Sequence, residues 1–334
     1  MNRSIICLDQ NAWIQLARIF YGNDGDPSVA KLPTKMFELA NQGSHVFPIS
    51  FERLHETQKI SNVERRKRLA RFMIDLSDGF TIGPADKRTI PLECYNYLVD
   101  LHCLPKLKYD IGEEIIGKGI SGIFGARGEL IPNKPDAEPI PVDRRKEIID
   151  YFNSNEVLFD IISGKNEELR RSSLETIKSI HDEGRRKMEK NLAEIPSGMD
   201  KRKRHLGALS NFLMDSILPI MTMEALKLGI PFDGSAKPKS KIKSPEEFLR
   251  QIPSAYVSFE LSHARDKQCC GKVMENDFND ISFLSYAIPY ASVVVTERTW
   301  VQIAKRLKLD TLYGSVIISV SEMGAFKTLL ALNG

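Results

Sequence analysis

Acidic residues recur at corresponding points of separate strand–helix units. Asp9 follows the apolar run Ser4-Ile5-Ile6-Cys7-Leu8 directly, and Glu297 follows Val293-Val294-Val295-Thr296. Glu52 and Glu56 lie four residues apart, hence on one helix face, and Asp277 and Asp280 lie three apart at the opening of a late helix. Carboxylates gathered from such remote positions repel one another and resist ionisation when partly buried, unless a cation offsets them. Oxygen-only ligands favour Mg²⁺ or Mn²⁺ over zinc. Two such ions held about 3.5–4 Å apart activate water and stabilise the leaving oxygen in phosphodiester hydrolysis. Each acid also has a structural role open to it: Asp277 as an N-cap, Glu56 as the partner of Lys59, Glu297 at a helix N-terminus. It is their arrangement as a set that points to chemistry. Leu8-Asp9-Gln10-Asn11 lacks the second Asp that phosphatases with an aspartate nucleophile place two residues on, since Asn11 stands there.

Alternating strands and helices must position these acids. Strands are predicted over 4–8, 45–49, 292–296 and 315–320, and helices over 11–19, from Ser50 as N-cap, over 279–287 ending before Pro289, and over 326–332. Such alternation makes an α/β fold with a mostly parallel sheet. In an open parallel sheet, sites form at the carboxyl ends of the strands, where these acids stand. The middle differs: residues 110–141 are rich in glycine and proline and predict loop, and 144–229 carry a long helical pattern broken at Pro196-Ser197-Gly198. A Lys-, Pro- and Ser-rich linker is expected over 234–245. The division is a first core half over 1–109, a loop and helical insertion over 110–244, and a second core half over 245–334.

The 334 residues suit about two domains, and 42% hydrophobic with 27% charged residues is ordinary globular usage, excluding a collagen-like or disordered chain. Lys plus Arg is 47 against 44 for Asp plus Glu, so only the distribution of charge could argue for nucleic acid. No uncharged apolar run is long enough for a membrane span, the best stretch, 206–230, being interrupted by Asn211, Asp215 and Glu224. With no signal-peptide pattern and five cysteines lacking CxxC spacing, the expectation is a cytoplasmic protein with no membrane partner.

Four segments together resemble the PIN-domain nucleases, in particular a bacterial branch with a large helical insertion: Cys7-Leu8-Asp9-Gln10-Asn11-Ala12-Trp13-Ile14, Pro48-Ile49-Ser50 through His55-Glu56-Thr57, Asn276-Asp277-Phe278-Asn279-Asp280-Ile281, and Val293-Val294-Val295-Thr296-Glu297. The resemblance covers roughly residues 4–105 and 250–320. It implies a three-layer PIN-like domain and a metal-dependent endoribonuclease, often a toxin or defence effector, with Asp9, Glu56, Asp280 and Glu297 catalytic. Those four and Asp277 would hold Mg²⁺ or Mn²⁺. Glu52 is the reserve for Glu56, and Glu297 stands where Asp is usual in the family. Asn11 and Glu52 are expected beside the substrate. The partners implied are an RNA substrate, an antitoxin or sensor protein, and a second copy of the chain.

Basic segments bear on the substrate. Arg65-Arg66-Lys67-Arg68 and Arg71 crowd one helix, and residues 181–243 carry a basic excess while the rest of the chain is net acidic. Lys201, Arg202, Lys203 and Arg204 are the expected phosphate contacts, although a solvated helix face has the same composition. No Tyr or Trp is interleaved with these charges, so the sequence offers no stacking platform. Gly117-Lys118-Gly119-Ile120-Ser121-Gly122 fits the dinucleotide pattern GxGxxG, but it lacks a convincing feeding strand and a following helix, and is expected to be loop. Two rivals to the endoribonuclease reading are a non-catalytic PIN-like protein working through its helical insertion, and a structure-specific DNA nuclease.

Overall fold

The computed structural model describes residues 3–22, 28–125, 141–193, 200–230, 244–269 and 275–332. Its elements begin with β1 (Ser4–Leu8), α1 (Gln10–Phe20), α2 (Leu32–Asn41), β2 (His45–Val46), β3 (Ile49–Ser50), α3 (Phe51–Gln58), α4 (Val63–Ser77), β4 (Phe80–Ile82) and α5 (Thr89–His102). There follow α6 (Ile111–Glu114), β5 (Ile116–Lys118), α7 (Gly119–Ile123), α8 (Val142–Phe152), α9 (Asn155–Ile162), α10 (Glu167–Ala193), α11 (Lys201–Phe212) and α12 (Leu218–Leu228). The chain closes with α13 (Pro245–Leu249), α14 (Pro253–Cys269), α15 (Glu275–Tyr290), β6 (Val293–Thr296), α16 (Arg298–Arg306), α17 (Leu309–Tyr313), β7 (Val316–Ser319) and α18 (Met323–Leu332).

The fold class is α/β. Four parallel strands lie in the order β2-β1-β6-β7, with Cys7 opposite Val294 and Val295 opposite Ile318. A second sheet has the order β3-β4-β5, with β3 and β4 parallel and β5 antiparallel to β4. One run of chain, residues 45–50, joins them. The single strand expected over 45–49 divides into β2 and β3 because Pro48 has no N–H to give a ladder.

Alternation along β1 builds a core on each face of the sheet. Ile5 and Cys7 join Val294 and Ile317 in one buried cluster with side chains of α5, α14, α15 and α16. Ile6 and Leu8 join Val293, Val295 and Ile318 in another, with side chains of α1, α2, α4, α9 and α18. Helices thus cover both faces, which is why the strands are near-continuous apolar runs.

Several expectations are corrected. The late helix starts at Glu275 rather than Asn279, and it runs through Pro289 to Tyr290, where a missing N–H costs only one bond near the helix end. Residues 110–125 are not plain loop: β5 pairs with β4, and Ile123 enters the core with Leu158 and Ile162 of α9. The GxGxxG run is the turn from β5 into α7, and its glycines serve close packing. A Cβ at Gly117 would lie 2.4 Å from Gly122 Cα, and Gly119, at φ +57°, would strike the Asn153 backbone at 2.3 Å. The expected break at 196–198 and most of the linker over 234–245 lie outside the described residues.

Helices α11 and α12 join through a π-helical turn, Leu213–Ile217. Among the described residues, Arg202–Leu228 is a helix long and apolar enough, by length and composition alone, to cross a membrane. Its α12 end packs on α5, where Ala225 and Leu228 meet Leu98 and Val99, and Glu224 is buried against Lys227.

Candidate active site

The acids meet where β1 and β6 end and the next helices begin. Asp9 is the N-cap of α1: its carboxylate accepts from Ala12 N–H at 2.8 Å, while its own N–H donates to Val295 O of the neighbouring strand at 2.9 Å. Glu297 occupies the same position one strand over, ahead of α16, and Asn11 Nδ2 donates to it at 2.8 Å. Helix α3 brings Glu56 and α15 brings Asp280, whose Oδ2 accepts from Trp300 Nε1 at 2.9 Å. Acids up to 288 residues apart in sequence therefore share one crevice, with Asp9 at its floor, 2% exposed, and Glu297 and Asn11 at its open side.

A residue that sequence reasoning missed organises the group. Arg53, one turn before Glu56 on α3, is 1% exposed; its Nη1 donates to Glu56 at 2.5 Å and its Nη2 lies 3.6 Å from Asp280 Oδ1. Its guanidinium sits 4.6 Å over the Phe283 ring. Nε and Nη2 have no hydrogen-bond partner, so the charge is held by ion pairing and the ring rather than by a full set of acceptors. The one-turn spacing to Glu56 was visible in sequence, but nothing there marked this arginine as buried.

Electrostatics records the crowding. Burial lifts the Asp9 carboxyl from 3.8 to about 7; Arg53 and the Ala12 N–H oppose the rise, and the charges of Asp280 and Glu297 add to it. Glu56, Asp280 and Glu297 are each raised, by burial first, and Asp280 adds to the repulsion at both Glu56 and Glu297. Arg53 is raised despite its burial, because Glu56, Asp280, Asp9 and Glu52 surround it.

Other expected site residues are placed differently. Glu52 is 3% exposed and accepts from Ser282 Oγ at 2.5 Å and Tyr286 Oη at 2.8 Å, so it ties α3 to α15 and does not face substrate. Asp277 is buried and accepts from Arg265 Nε at 3.0 Å, although its charge still opposes ionisation of Asp280. Arg202 and Arg204 are exposed on α11, Lys203 pairs with Asp200 at 3.8 Å, and the Lys201 side chain lies outside the described residues.

Four carboxylates facing one guanidinium make a hard-oxygen set with excess negative charge, which suits Mg²⁺ or Mn²⁺ in chemistry. As a cage it is unfinished. Among the described residues, no three His, Cys, Asp or Glu side chains are grouped so that they could hold an ion. Arg53 stands between Glu56 and Asp280, the place a shared cation would take. In comparison with known proteins, no family model, no curated protein and no solved structure matches this chain.

Proposed function

We propose that the chain is a PIN-like, metal-dependent nuclease that hydrolyses RNA. One observation carries this reading: Asp9, Glu56, Asp280 and Glu297 meet at the carboxyl ends of adjacent parallel strands, with each carboxyl raised above its ordinary range. In this reading Asp9, Asp280, Glu297 and Glu56 supply the oxygen donors for Mg²⁺ or Mn²⁺, although as placed no three of them form a ligand group and Arg53 stands between Glu56 and Asp280. Bound there, the ion supplies Lewis-acid activation of water and offsets charge on the phosphodiester. The chain's own groups set the stage. Trp300 fixes one Asp280 oxygen, the α1 N-terminus fixes one Asp9 oxygen, and Asn11 orients Glu297 at the open side, where its amide can also reach a phosphate oxygen. Arg53 keeps Glu56 and Asp280 together without itself reaching solvent. Neither a Ser nor a Cys nucleophile is required. A role as toxin or defence effector, and an antitoxin, sensor or second copy as partner, belong to the same reading.

The test is incubation of the wild-type chain and Asp9→Asn with labelled RNA and DNA of one sequence, in Mn²⁺ or in EDTA. Cleavage of RNA by the wild type in Mn²⁺ alone is the expected result. Cleavage confined to DNA would move the reading to a DNA nuclease. Absence of cleavage of either, or cleavage that Asp9→Asn retains, would overturn it. A second reading, a non-catalytic PIN-like protein acting through α11, α12 and the turn between them, is favoured by the exposed Met214, Leu218, Met223 and Leu226.

A further inference from the structure

We propose that the groove between α1 and α4 binds the sugar–phosphate backbone and a base of single-stranded nucleic acid, on the way to the acid cluster. The inference rests on the nuclease reading for the class of its ligand, and its residues are separate from the acids. Asn11, Ile14, Arg18 and Tyr21 recur at helical spacing, so one stripe of α1 runs from the open side of the crevice to the far end of the helix. At about 1.5 Å per residue, Arg18 lies roughly 10 Å and Tyr21 roughly 15 Å along the axis from Asn11. That is a few phosphates at about 3.4 Å per nucleotide of a helical strand.

The far end of the stripe is a groove of about 610 Å³, in which Arg65 and Arg68 of α4 join Arg18 and Tyr21. All three arginines are exposed, and among the described residues none of them has an ion-pair partner. The groove's acid, Glu64, is taken by Lys67 at 3.4 Å. Arg66, the fourth basic residue of that run, takes no part: it is buried and donates to Ser163 O and Ile60 O. Tyr21 donates its hydroxyl to Arg68 O, which fixes a ring that is 37% exposed beside the cations, and Phe20 next to it is 47% exposed. Exposed arginines beside a fixed, exposed aromatic are the grammar of single-strand binding, in which the cations track phosphates and the ring stacks a base. An acidic polypeptide would satisfy the arginines but make no use of the exposed face of Tyr21. The stacking platform that sequence order denied is assembled by packing α1 on α4.

The experiment is fluorescence anisotropy of a labelled 12-residue oligouridylate, with the full-length chain in the Asp9→Asn background and EDTA, across a salt series. Replacing Arg18, Arg65 and Arg68 together with Ser should lower the log–log salt slope by about 2, at about 0.7 per phosphate contact of a single strand. Replacing the same three with Lys should keep the slope, which separates lost charge from lost folding. Tyr21→Leu should weaken binding at least about fivefold with the slope unchanged, as loss of one stacked base predicts. An unchanged slope in the Ser variant would overturn the proposal. So would equal loss in the Lys variant, or displacement of the oligonucleotide by polyglutamate as effectively as by unlabelled oligouridylate. Arginine-dependent binding by a wild-type chain that cleaves nothing would support the groove and overturn the nuclease reading. Cleavage with an unchanged slope would do the reverse.

Discussion

Arg53→Met removes the one guanidinium among Asp9, Glu56 and Asp280 while keeping an unbranched apolar side chain over Phe283. Breaking a buried ion pair by deleting one partner costs about 3–5 kcal/mol, because charge is left buried without compensation. Here the cost must depend on pH. Asp9 has a folded pKa of about 7 against 3.8 for the free residue, so ionising it in the folded state costs roughly 4 kcal/mol. A carboxyl raised in this way contributes stability that is full below about pH 4 and is lost as pH rises through 7. Without Arg53, which lowers the Asp9 pKa, the loss continues to higher pH at about 1.4 kcal/mol per pH unit. Relative to wild type, the variant should therefore be worse at pH 8.5 than at pH 5, by up to about 2 kcal/mol from Asp9 alone. Glu56 and Asp280 add in the same direction, since Arg53 lowers both. Urea unfolding of both proteins in EDTA at the two pH values measures this. An equal loss at pH 5 and pH 8.5 would show that Arg53 acts by packing and would refute its role as the counter-charge of the cluster.

Asp9→Asn should abolish RNA cleavage and, in EDTA, make the fall of stability between pH 4 and 7 shallower by up to about 1.4 kcal/mol per pH unit, while Glu93, also raised to about 7 by burial, and the other raised acids keep the remainder of the slope; a pH series of urea midpoints reads this, and a curve as steep as the wild type's would contradict the assignment. Glu52→Ala should destabilise by roughly 1–3 kcal/mol, as the Ser282 and Tyr286 hydroxyls lose a buried acceptor, with RNA affinity unaltered. A change in affinity at unchanged stability would restore Glu52 to the substrate side. Gly119→Ala should lower the melting temperature, since both its positive φ and the Asn153 backbone oppose a Cβ; a neutral result would remove the packing account of the GxGxxG run.

Local physics made much of this molecule legible in its sequence. The apolar runs at 4–8 and 293–296 had to be strands covered on both faces, and Ser50 had to cap a helix, because period, burial and capping are short-range properties. That Asp9 and Glu297 each follow the end of a strand was likewise legible, but that those two strands are neighbours was decided by the sheet order. Tertiary structure alone decided which side chains the acids meet. Glu52 and Glu56 share a helix of eight residues, yet one is consumed by Ser282 and Tyr286 across the α3–α15 contact and the other enters the crevice. Arg53 and Arg66 carry the most water-seeking of side chains and are buried, each paired by partners the chain brings from afar: Asp280 for one, and the carbonyl of Ser163 for the other. A charge can be buried only where such partners gather, and their gathering is a property of the packed fold, not of any window of sequence.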